Sequence, residues 1–574
     1  MQKKIDGYWL PQEIRERVLT SNTEFDSATF SKGRPSIPEE SESVTVTWPL
    51  LKLEQWKELL DLLKKNRQRA PTGTEFWKRF QKALDEVQRR FGIPTDLLRK
   101  QALNTLPSFT GYSEPMIRIT LDAQDIMALN QLEMAFSYKP LKRVSKDWQA
   151  IQGLPGRIRF FSDKNWRPGM NILPGFRDQQ FYGEKNIPEL VLGYGSGNVP
   201  GTAMLIAFLS LATTLKTDHL PVVVVKNSRR EPIFTPLVLS ALQEVDSELV
   251  STTAVLIWDY ENSSEQEYLL SQSNLVLAAA GDGTIAQIKS RIDKVASNSQ
   301  RPIRFHAHGH KVSFSAIDKE VLHKGAVEVG SDTALLEIVT LLSALDSIFW
   351  DQHGCLSSRI HFVETGGAGY YNALDYATQL ETQLRLLGKV IPRGAWPRQL
   401  IHDRFDRYKS LETTGKVDVL TGYDDEFLVA VDRRALNPST FQSLVNDCQG
   451  RVIIIRAVKD LMEIPDYYLK MLPRNNLQSL SVAVGRQAES LSEGFLHFAE
   501  ECCAQGVTAI RSVGRGAFPQ LSYSWDGYIP LDLLYTRPKG YFSTIEFDRP
   551  YDQMIETYNT MQQRSTEIDF FGRY

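Results

Sequence analysis

Short apolar runs rich in valine alternate, from residue 189 onward, with longer stretches whose apolar positions recur at helical spacing. The predicted strands are ELVLGYG, LPVVVVK, TAVLIWDY and NLVLAAA, and the predicted helices are GTAMLIAFLSLATTL, PIFTPLVLSALQEV and TIAQIKSRIDKVA. Such alternation is typical of β-α-β units on a parallel sheet. Because ligands of these sheets bind at the carboxyl ends of the strands, the residues after each strand are the candidates for chemistry.

A second α/β pattern begins near residue 326 with the helical stretch DTALLEIVTLLSALDSIFW and continues with the strands RIHFVE, EFLVAV and RVIIIRAV. The whole chain is thus predicted to be an α/β protein. Its predicted segments are a helix-rich N-terminal region (1–155), a hairpin-like segment (156–185), a parallel-sheet domain (186–325), a second α/β domain (326–510) and a C-terminal tail (511–574). We expect the hairpin-like segment and the tail to serve packing or oligomerisation.

Length, charge and composition narrow the function classes. The chain has 574 residues, enough for two or more domains, and its formal net charge of -3 gives no overall field that favours nucleic acid. The longest apolar run, AMLIAFLSLATTL, is shorter than the roughly 20 residues that span a bilayer, so we expect no integral membrane span. The amino terminus lacks a signal-peptide pattern, and four cysteines in so long a chain indicate a reducing cytoplasm.

Cys355 stands in a polar turn, DQHGCLSSR, between a predicted helix and a predicted strand. The commonest role of a lone cysteine is that of a small buried hydrophobic residue. The polar neighbourhood, with His353 and Arg359 nearby in sequence, favours a reactive thiol instead. A thiol needs its pKa lowered from about 8.5 to be largely thiolate at neutral pH, and nearby cations have that effect. From these residues alone, both interpretations stay open.

The glycine-rich turns do not form a standard phosphate-binding motif. GYGSGNVPG lacks the G-x-G-x-x-G spacing because Asn198 stands at the sixth place, and AAAGDGT is equally ambiguous, so either turn could be a plain strand-to-helix connection. Lys226 directly follows PVVVV, and Arg229 comes shortly after it. Cations at this edge of a parallel sheet suit a nucleotide phosphate or ribose, whereas a solvated loop explains them equally well.

The stretch RFHAHGHKVSF contains His306, His308 and His310 at alternate positions. Alternation along a strand would put all three side chains on one face, as a metal site requires. No acidic or cysteine ligand lies nearby in the sequence, and a glycine separates the last two histidines. We therefore predict no metal site.

Taken in order, several motifs resemble those of the LuxC-type fatty acyl reductases, the acyl-CoA and long-chain acyl-protein thioester reductases of bacterial bioluminescence. The motifs are GNVPGTA (197–203), VVVVKNS (222–228), AAGDGTIAQI (279–288), DQHGCLSSR (351–359) and a later WDGY. The resemblance covers roughly 186–535. It implies an aldehyde dehydrogenase-like fold, with a Rossmann-type NADP(H)-binding domain over 186–325, a catalytic domain over 326–510 and a helical N-terminal extension.

The resemblance also implies roles for single residues. Cys355 would be the nucleophile, and the side-chain amide of Asn198 would cradle the substrate oxygen as it becomes an oxyanion. Gly281 and Thr284 would lie against the cofactor phosphates.

The cofactor implied by the resemblance is NADP(H). Lys226 matches the lysine that contacts the adenosine ribose, and Ser228 lies in the same cofactor-binding stretch. Arg229 stands where NAD-preferring relatives often have a glutamate. A cation at that place would favour a 2′-phosphate.

One departure concerns the fate of the acyl group. Aldehyde dehydrogenases that make free acids carry a glutamate in an E-L-G-G-K-like strand, and here AHGHK places Ala307 there. Without that base, attack of water on an acyl-cysteine should be slow. The base that deprotonates Cys355 stays open, with His306, His308 and His353 as candidates.

The implied reaction is the NADPH-dependent reduction of a long-chain acyl thioester to the fatty aldehyde through an acyl-cysteine intermediate. We expect an acyl-CoA or acyl-protein substrate, an acyl-protein synthetase partner and a homo-oligomer. Two alternatives stay open: an NAD(P)-dependent aldehyde dehydrogenase that makes free acid, and a non-catalytic acyl-handling scaffold subunit.

Overall fold

The computed structural model describes most of the chain in two compact units. The described residues are 3–31, 43–122, 149–150, 157–163, 188–212, 214, 219–259, 263–327, 333–484, 493–516, 526 and 541–547. The first unit takes in those within 1–136, 169–310 and 528–539. The second unit takes in those within 137–168, 311–527 and 540–574.

Strands and helices make up most of the described residues. In chain order, the strands are β1 (Lys3–Asp6), β2 (Glu24–Ser31), β3 (Ser43–Leu50), β4 (Gln149–Ala150), β5 (Arg157–Asp163), β6 (Leu190–Tyr194), β7 (Val222–Lys226), β8 (Thr253–Leu256), β9 (Leu275–Ala279), β10 (Arg304–His308), β11 (Val312–Ile317), β12 (Ser358–Glu364), β13 (Val417–Val419), β14 (Leu428–Asp432), β15 (Val452–Val458), β16 (Leu477–Ala483), β17 (Ala509–Ser512) and β18 (Tyr541–Phe547). The helices are α1 (Gln12–Val18), α2 (Leu53–Asn66), α3 (Gly73–Gly92), α4 (Leu97–Thr110), α5 (Glu114–Asp122), α6 (Thr202–Leu211), α7 (Phe234–Val245), α8 (Ser263–Gln272), α9 (Asp282–Ser299), α10 (Leu335–Ile348), α11 (Ala373–Val390), α12 (Gln399–Glu412), α13 (Pro438–Asp447) and α14 (Glu493–Gln505).

The first unit is built on a parallel sheet with the strand order β10-β9-β6-β7-β8. Strands β6 to β9 are buried along their whole length, which is why they read as continuous apolar runs. The strands predicted from those runs are confirmed. Helix α8 was not predicted, because its sequence SSEQEYLLSQ is mostly polar.

A small N-terminal sheet of order β1-β3-β2 also belongs to the first unit. The Trp9 amide donates to the Val255 carbonyl over 2.7 Å, and the Val255 amide donates back over 2.9 Å, so the N-terminal segment continues the edge of β8. Ile5, Val46 and Trp48 share one apolar core with the parallel sheet. The serine- and glutamate-rich stretch before β3 lies outside the described residues.

The second unit holds a larger sheet with the strand order β13-β14-β15-β12-β11-β16-β17-β18-β5-β4. Its strands from β14 to β18 are parallel, whereas β13, β5 and β4 are antiparallel to their neighbours. Strand β12 follows the Cys355 turn and lies between β15 and β11, fully buried. The nucleophile candidate thus stands at the amino end of a central strand.

The predicted domain boundaries stay predictions. Of the hairpin-like segment, 157–163 forms β5, and 164–187 lies outside the described residues. Of the C-terminal tail, most residues after 516 lie outside them as well, apart from Asp526 and β18. Within the described ranges, no helix has the length and apolar character needed to cross a bilayer.

Candidate active site

The cofactor-side residues predicted from the sequence lie at the carboxyl edge of the first unit's sheet. Because β9, β6 and β7 are parallel neighbours, the segments that follow them meet at one edge. Asn198 follows β6, Lys226 ends β7, and Gly281 follows β9. The structure therefore brings three separate sequence motifs together, at the kind of edge where parallel sheets bind ligands.

The loop that contains Asn198 touches the loop after β7, and a glycine makes this contact feasible. A Cβ atom on Gly197 would lie 2.3 Å from the Ser228 hydroxyl oxygen and 2.7 Å from the Cβ of Arg230. Only glycine avoids that clash. The Tyr112 hydroxyl donates to the backbone carbonyl of Asn198, which ties the same loop to the N-terminal helices.

The turn after β9 offers an open helix N-terminus. Gly281 caps α9, and a Cβ atom added to Gly281 or Gly283 would meet no atom within 4 Å. Thr284 follows in the first turn of this helix, which extends to Ser299. The first amides of a helix have no partners inside the helix and favour anions. Open space at this turn thus fits a dinucleotide phosphate.

Lys226 is a buried cation at the end of β7. Burial, assisted by the nearby Arg229, lowers its pKa to about 8, and Asp259 acts in the opposite direction. Its Nζ lies 5.8 Å from the ring centroid of Trp258. The ammonium group is still mostly protonated at neutral pH, so it can donate to a ribose or phosphate oxygen.

Arg229 is half-exposed and lies between two carboxylates. Its Nη2 is 2.6 Å from Asp259 Oδ1 and 3.8 Å from Asp26 Oδ2. Its guanidinium carbon lies 5.5 Å from the ring centroid of Trp48. A 2′-phosphate at Arg229 would therefore meet negative charge as well as the cation. Asp26 and Trp48 come from the N-terminal sheet, where sequence reasoning placed no candidate.

In the second unit, Cys355 is partly buried in the turn between α10 and β12. The Ser313 hydroxyl donates to the Cys355 carbonyl over 2.8 Å, and the Ser479 hydroxyl donates to Ser313 Oγ over 2.8 Å. These serines come from β11 and β16, so two neighbouring strands hold the backbone of the nucleophile candidate.

The thiol itself is strongly disfavoured from ionising. Burial raises the pKa of Cys355 to about 12, and the carboxylate of Asp526 adds to this effect. The Cys355 amide, the Lys311 cation and a hydrogen bond from Gln478 act in the opposite direction but are weaker. In this state the thiol is protonated at neutral pH.

His353 and Arg359 do not give Cys355 the low pKa expected of a reactive thiol, because burial outweighs the charges around it. Arg359 is buried, which lowers its own pKa, and its Nη1 donates to the Val445 carbonyl over 3.2 Å. The His353 ring packs against Trp396 with 4.2 Å between ring centroids. The Cys355 thiolate would raise the pKa of Arg359, so these two groups do interact, but the pKa of the thiol remains raised.

Three side chains that shift the pKa of the thiol, those of Gln478, Lys311 and Asp526, were not predicted. Gln478 lies on β16 and is buried, and its Oε1 has no hydrogen-bond partner in the described part of the chain. Lys311 and Asp526 are buried as well. Asp526 belongs to the WDGY motif and Lys311 to AHGHK, so two of the three lay inside stretches that the sequence had marked.

The histidines of β10 belong to the first unit. His306 and His308 lie on the strand, and His310 lies beyond its end with its amide donating to Asp282 Oδ1 over 2.7 Å. Ala307 pairs with Ala278 of β9 and packs against the first unit's core. Among the residues the structure describes, no group of three or more histidine, cysteine or acidic side chains is arranged to hold a metal ion.

Comparisons with known proteins identify both the fold and the family. The family model "Acyl-CoA reductase (LuxC)" matches residues 170–537, and no curated protein sequence matches the chain. Aldehyde dehydrogenase 21 from Physcomitrella patens is similar with a TM-score of 0.58 at 11% identity, covering 96% of this chain and 100% of that one. Methylmalonate-semialdehyde dehydrogenase from Oceanimonas doudoroffii is similar with a TM-score of 0.54 at 12% identity, covering 97% and 100%.

These structural matches confirm the predicted aldehyde dehydrogenase-like fold. The family model spans more than half of the chain and includes the β6–α6 turn, the end of β7, the α9 turn and the Cys355 turn. The chain therefore belongs to the LuxC family of acyl-CoA reductases.

Proposed function

We propose that this oxidoreductase reduces long-chain fatty acyl thioesters to fatty aldehydes with NADPH, through an acyl group held on Cys355. The observation that carries the proposal is the Cys355 turn, in which a partly buried thiol stands at the start of a central strand with its carbonyl held by Ser313. Elements that hold a backbone this firmly suit a group that must meet a substrate carbonyl in one geometry.

The first step transfers the acyl group. The Cys355 sulfur attacks the thioester carbonyl, a new carbon–sulfur bond forms, and the bond to the donor thiol breaks. The proton of the Cys355 thiol ends on the departing sulfur, which leaves as free CoA or as a free protein thiol. Lys311 and Gln478 stabilise the sulfur while it carries negative charge, which a pKa of about 12 makes necessary. By the family resemblance, Asn198 donates to the substrate oxygen.

The second step releases aldehyde. When bound, NADPH supplies the hydride for the acyl carbonyl. The residues that would hold it are Lys226, Ser228 and Arg229 after β7 and Gly281 and Thr284 at α9. With a proton from solvent, the carbon–sulfur bond breaks, and the aldehyde and the Cys355 thiol are released.

One feature supports reduction over hydrolysis. Ala307 stands where acid-forming relatives have their base, and it cannot accept a proton from water. The raised pKa of the Cys355 thiol is the observation that favours a non-catalytic acyl-binding role, so the test must separate that role from reduction.

The preference for NADPH over NADH rests on Arg229. By the family resemblance its guanidinium would meet the 2′-phosphate, although Asp259 and Asp26 partly neutralise it. We further propose a cytoplasmic location, since a free thiol needs a reducing compartment. An acyl-protein synthetase partner and a homo-oligomer complete the proposal on family resemblance.

A stepwise labelling experiment tests the reaction. Purified protein is incubated with a long-chain acyl-CoA labelled in the acyl group, first without cofactor and then with NADPH. We expect stable label on the Cys355 peptide, little free acid, and release of labelled aldehyde after NADPH is added. Free acid without cofactor would favour the hydrolytic alternative, and label that stays on the protein after NADPH is added would favour the scaffold.

A further inference from the structure

The segment just before Cys355 has an unusual backbone. Trp350, Asp351 and Gln352 have φ angles of 54°, 46° and 64°, so three consecutive residues other than glycine adopt the left-handed conformation. That conformation crowds the Cβ atom against the following carbonyl and is rare for bulky residues such as tryptophan. A run of this kind persists only where the surrounding structure holds it.

A second left-handed segment faces the first. Gly450 and Arg451, with φ angles of 68° and 72°, lie immediately before β15, the neighbour of β12 in the sheet. The Gly450 amide donates to the Asp351 carbonyl over 3.0 Å. The Arg451 Nε donates to Asp351 Oδ1 over 2.7 Å, in an ion pair with almost no exposed surface. The two segments are therefore joined through backbone and side chain.

The remaining oxygen of Asp351 is also used. Its Oδ2 accepts hydrogen bonds from the Gly394 amide over 3.0 Å and from the Trp396 indole over 3.1 Å. With the Arg451 bond, three donors surround one buried carboxylate. These three hydrogen bonds hold the Asp351 side chain in one conformation.

Gln352 ties the same turn to the starts of two strands. Its Oε1 accepts from the Val452 amide over 2.8 Å, and its Nε2 donates to the Ser358 carbonyl over 3.0 Å. The His353 amide donates to the Trp350 carbonyl over 2.8 Å. The backbone path from Trp350 to Cys355 is therefore determined at both ends, since Ser313 holds the Cys355 carbonyl.

We infer that Asp351 and Arg451 are positioning residues, whose ion pair keeps 350–352 left-handed and so sets the place of the Cys355 sulfur. Neither residue touches the substrate in this role. The inference rests on Cys355 being the nucleophile, as proposed above. A pair that served stability alone would not be expected to affect the thiol.

The test uses Asp351→Asn, because asparagine tolerates the left-handed conformation and keeps the shape of the side chain while removing the charge. Two quantities are measured on the full chain. The first is the rate at which iodoacetamide alkylates Cys355 between pH 6 and about 10, followed by mass spectrometry of that peptide, and the second is kcat and KM for acyl-CoA reduction.

If Asp351→Asn relaxes the turn, the Cys355 thiol becomes more exposed to solvent and loses its alignment. We expect alkylation at pH 7 to rise about tenfold, since burial no longer suppresses the thiolate. We expect kcat to fall about tenfold or more with KM changed less than about twofold.

Asp432→Asn is the matched control. Asp432 is a fully buried carboxylate of the same sheet, paired with Arg434 over 2.6 Å and with Arg456 over 3.2 Å, and lies on β14 rather than in the turn before Cys355. We expect this variant to lose a similar amount of thermal stability while alkylation and kcat stay within about twofold of the parent. Equal behaviour of the two variants would overturn the inference.

A double variant keeps the inference testable if Asp351→Asn alone does not fold. Asp351→Asn leaves Arg451 as a buried, unpaired charge, and Asp351→Asn with Arg451→Gln removes that charge. If the double variant melts like the parent and still shows faster alkylation with lower kcat, positioning is supported. Parent-like alkylation and kcat in the double variant would overturn it. Should the parent make no aldehyde, the proposed function fails, while the alkylation rates still decide whether the pair places the thiol.

Discussion

The proposed cofactor edge of the first unit and the thiol turn of the second are built in opposite ways. At the proposed cofactor edge, Arg229 and Asp259 form an ion pair whose side chains are 47% and 50% exposed. At the thiol turn, the side chains of Arg451 and Asp351 are 2% and 0% exposed, and they hold a strained backbone. Residues of an exposed ion pair can be substituted at a small cost in stability, whereas substituting one residue of a buried pair such as Asp351 and Arg451 is strongly destabilising. The comparison predicts that substitutions of the exposed pair in the first unit change the preference between NADPH and NADH. Substitutions of the buried pair in the second unit should change the rate of the reaction.

The largest expected effect is that of Cys355→Ala, which removes the proposed nucleophile and changes no residue of the first unit. We expect aldehyde formation to fall more than about 1,000-fold, because no acyl-enzyme can form. Binding of NADPH, measured by its fluorescence, should stay within about twofold of the parent.

Cys448→Ala serves as the control for Cys355→Ala. Cys448 is a fully buried free thiol whose pKa burial also raises to about 12. Its Sγ is 3.3 Å from the Leu444 carbonyl oxygen at the end of α13. It should retain aldehyde formation. Residual activity of Cys355→Ala close to that of the control would remove Cys355 from the mechanism.

The second prediction compares the loss in free energy of unfolding when each of the two ion pairs is broken. Arg451→Met leaves Asp351 buried without its cation, and we expect the free energy of unfolding to fall by about 3–5 kcal/mol. Arg229→Met removes an exposed pair, and the loss should be below about 1 kcal/mol. Urea denaturation followed by circular dichroism measures both. Equal losses would mean that burial does not distinguish the two regions.

The sheet of the first unit could be predicted from the sequence because β6 and β7 are buried on both faces and read as unbroken apolar runs. The N-terminal strand β2 could not be, since its sequence EFDSATFS mixes polar and apolar residues without the buried-strand signature. Helix α8 was missed for the same reason. The pattern reveals a strand that is buried on both faces and a helix whose apolar positions recur at helical spacing, and β2 and α8 show neither.

Residues of the candidate site could be predicted where they stand next to a recognisable strand. Residues that meet only when the chain folds could not. Cys355 and Lys226 each stand next to a recognisable strand. Asp351 begins the DQHGCLSSR stretch, but nothing in the sequence links it to Arg451, 100 residues away in the chain. Gln478 gave no signal either, because a single glutamine at the start of a strand has many roles. Such partners meet only through the register of neighbouring strands.

The third prediction uses pH, because the two regions carry shifts of opposite sign. The pKa of Cys355 is raised to about 12, so the unfolded chain loses this proton first, and its contribution to stability is lost as pH rises above the ordinary value near 8.5. The pKa of Lys226 is lowered to about 8, so its contribution is present above the ordinary value near 10.5 and is lost as pH falls through 8.

Variants at these two positions should therefore tilt the stability curve in opposite directions. Between pH 8.5 and about 10, Cys355→Ala should make the free energy of unfolding fall less steeply, by at most about 1.4 kcal/mol per pH unit. Lys226→Met should remove a gain of the same order over that range. Urea titrations at several pH values measure both slopes. Parallel curves for the two variants would contradict the assigned environments.

The smallest expected effect concerns cofactor preference, which the Arg229–Asp259 pair should set without affecting the thiol. Arg229→Glu should shift the ratio of kcat/KM for NADPH over NADH about tenfold toward NADH, since a carboxylate repels a 2′-phosphate and accepts from ribose hydroxyls. Asp259→Asn should shift it a few-fold toward NADPH, because Arg229 then loses its nearest carboxylate, 2.6 Å away. Asp293→Asn, which breaks an exposed pair with Lys289 within α9, is the control and should leave the ratio unchanged. If neither Arg229→Glu nor Asp259→Asn changes the kcat/KM ratio, and both leave alkylation of Cys355 unaltered, the Arg229–Asp259 pair does not set the cofactor preference. The contrast between the two regions would then hold only for the Cys355 turn.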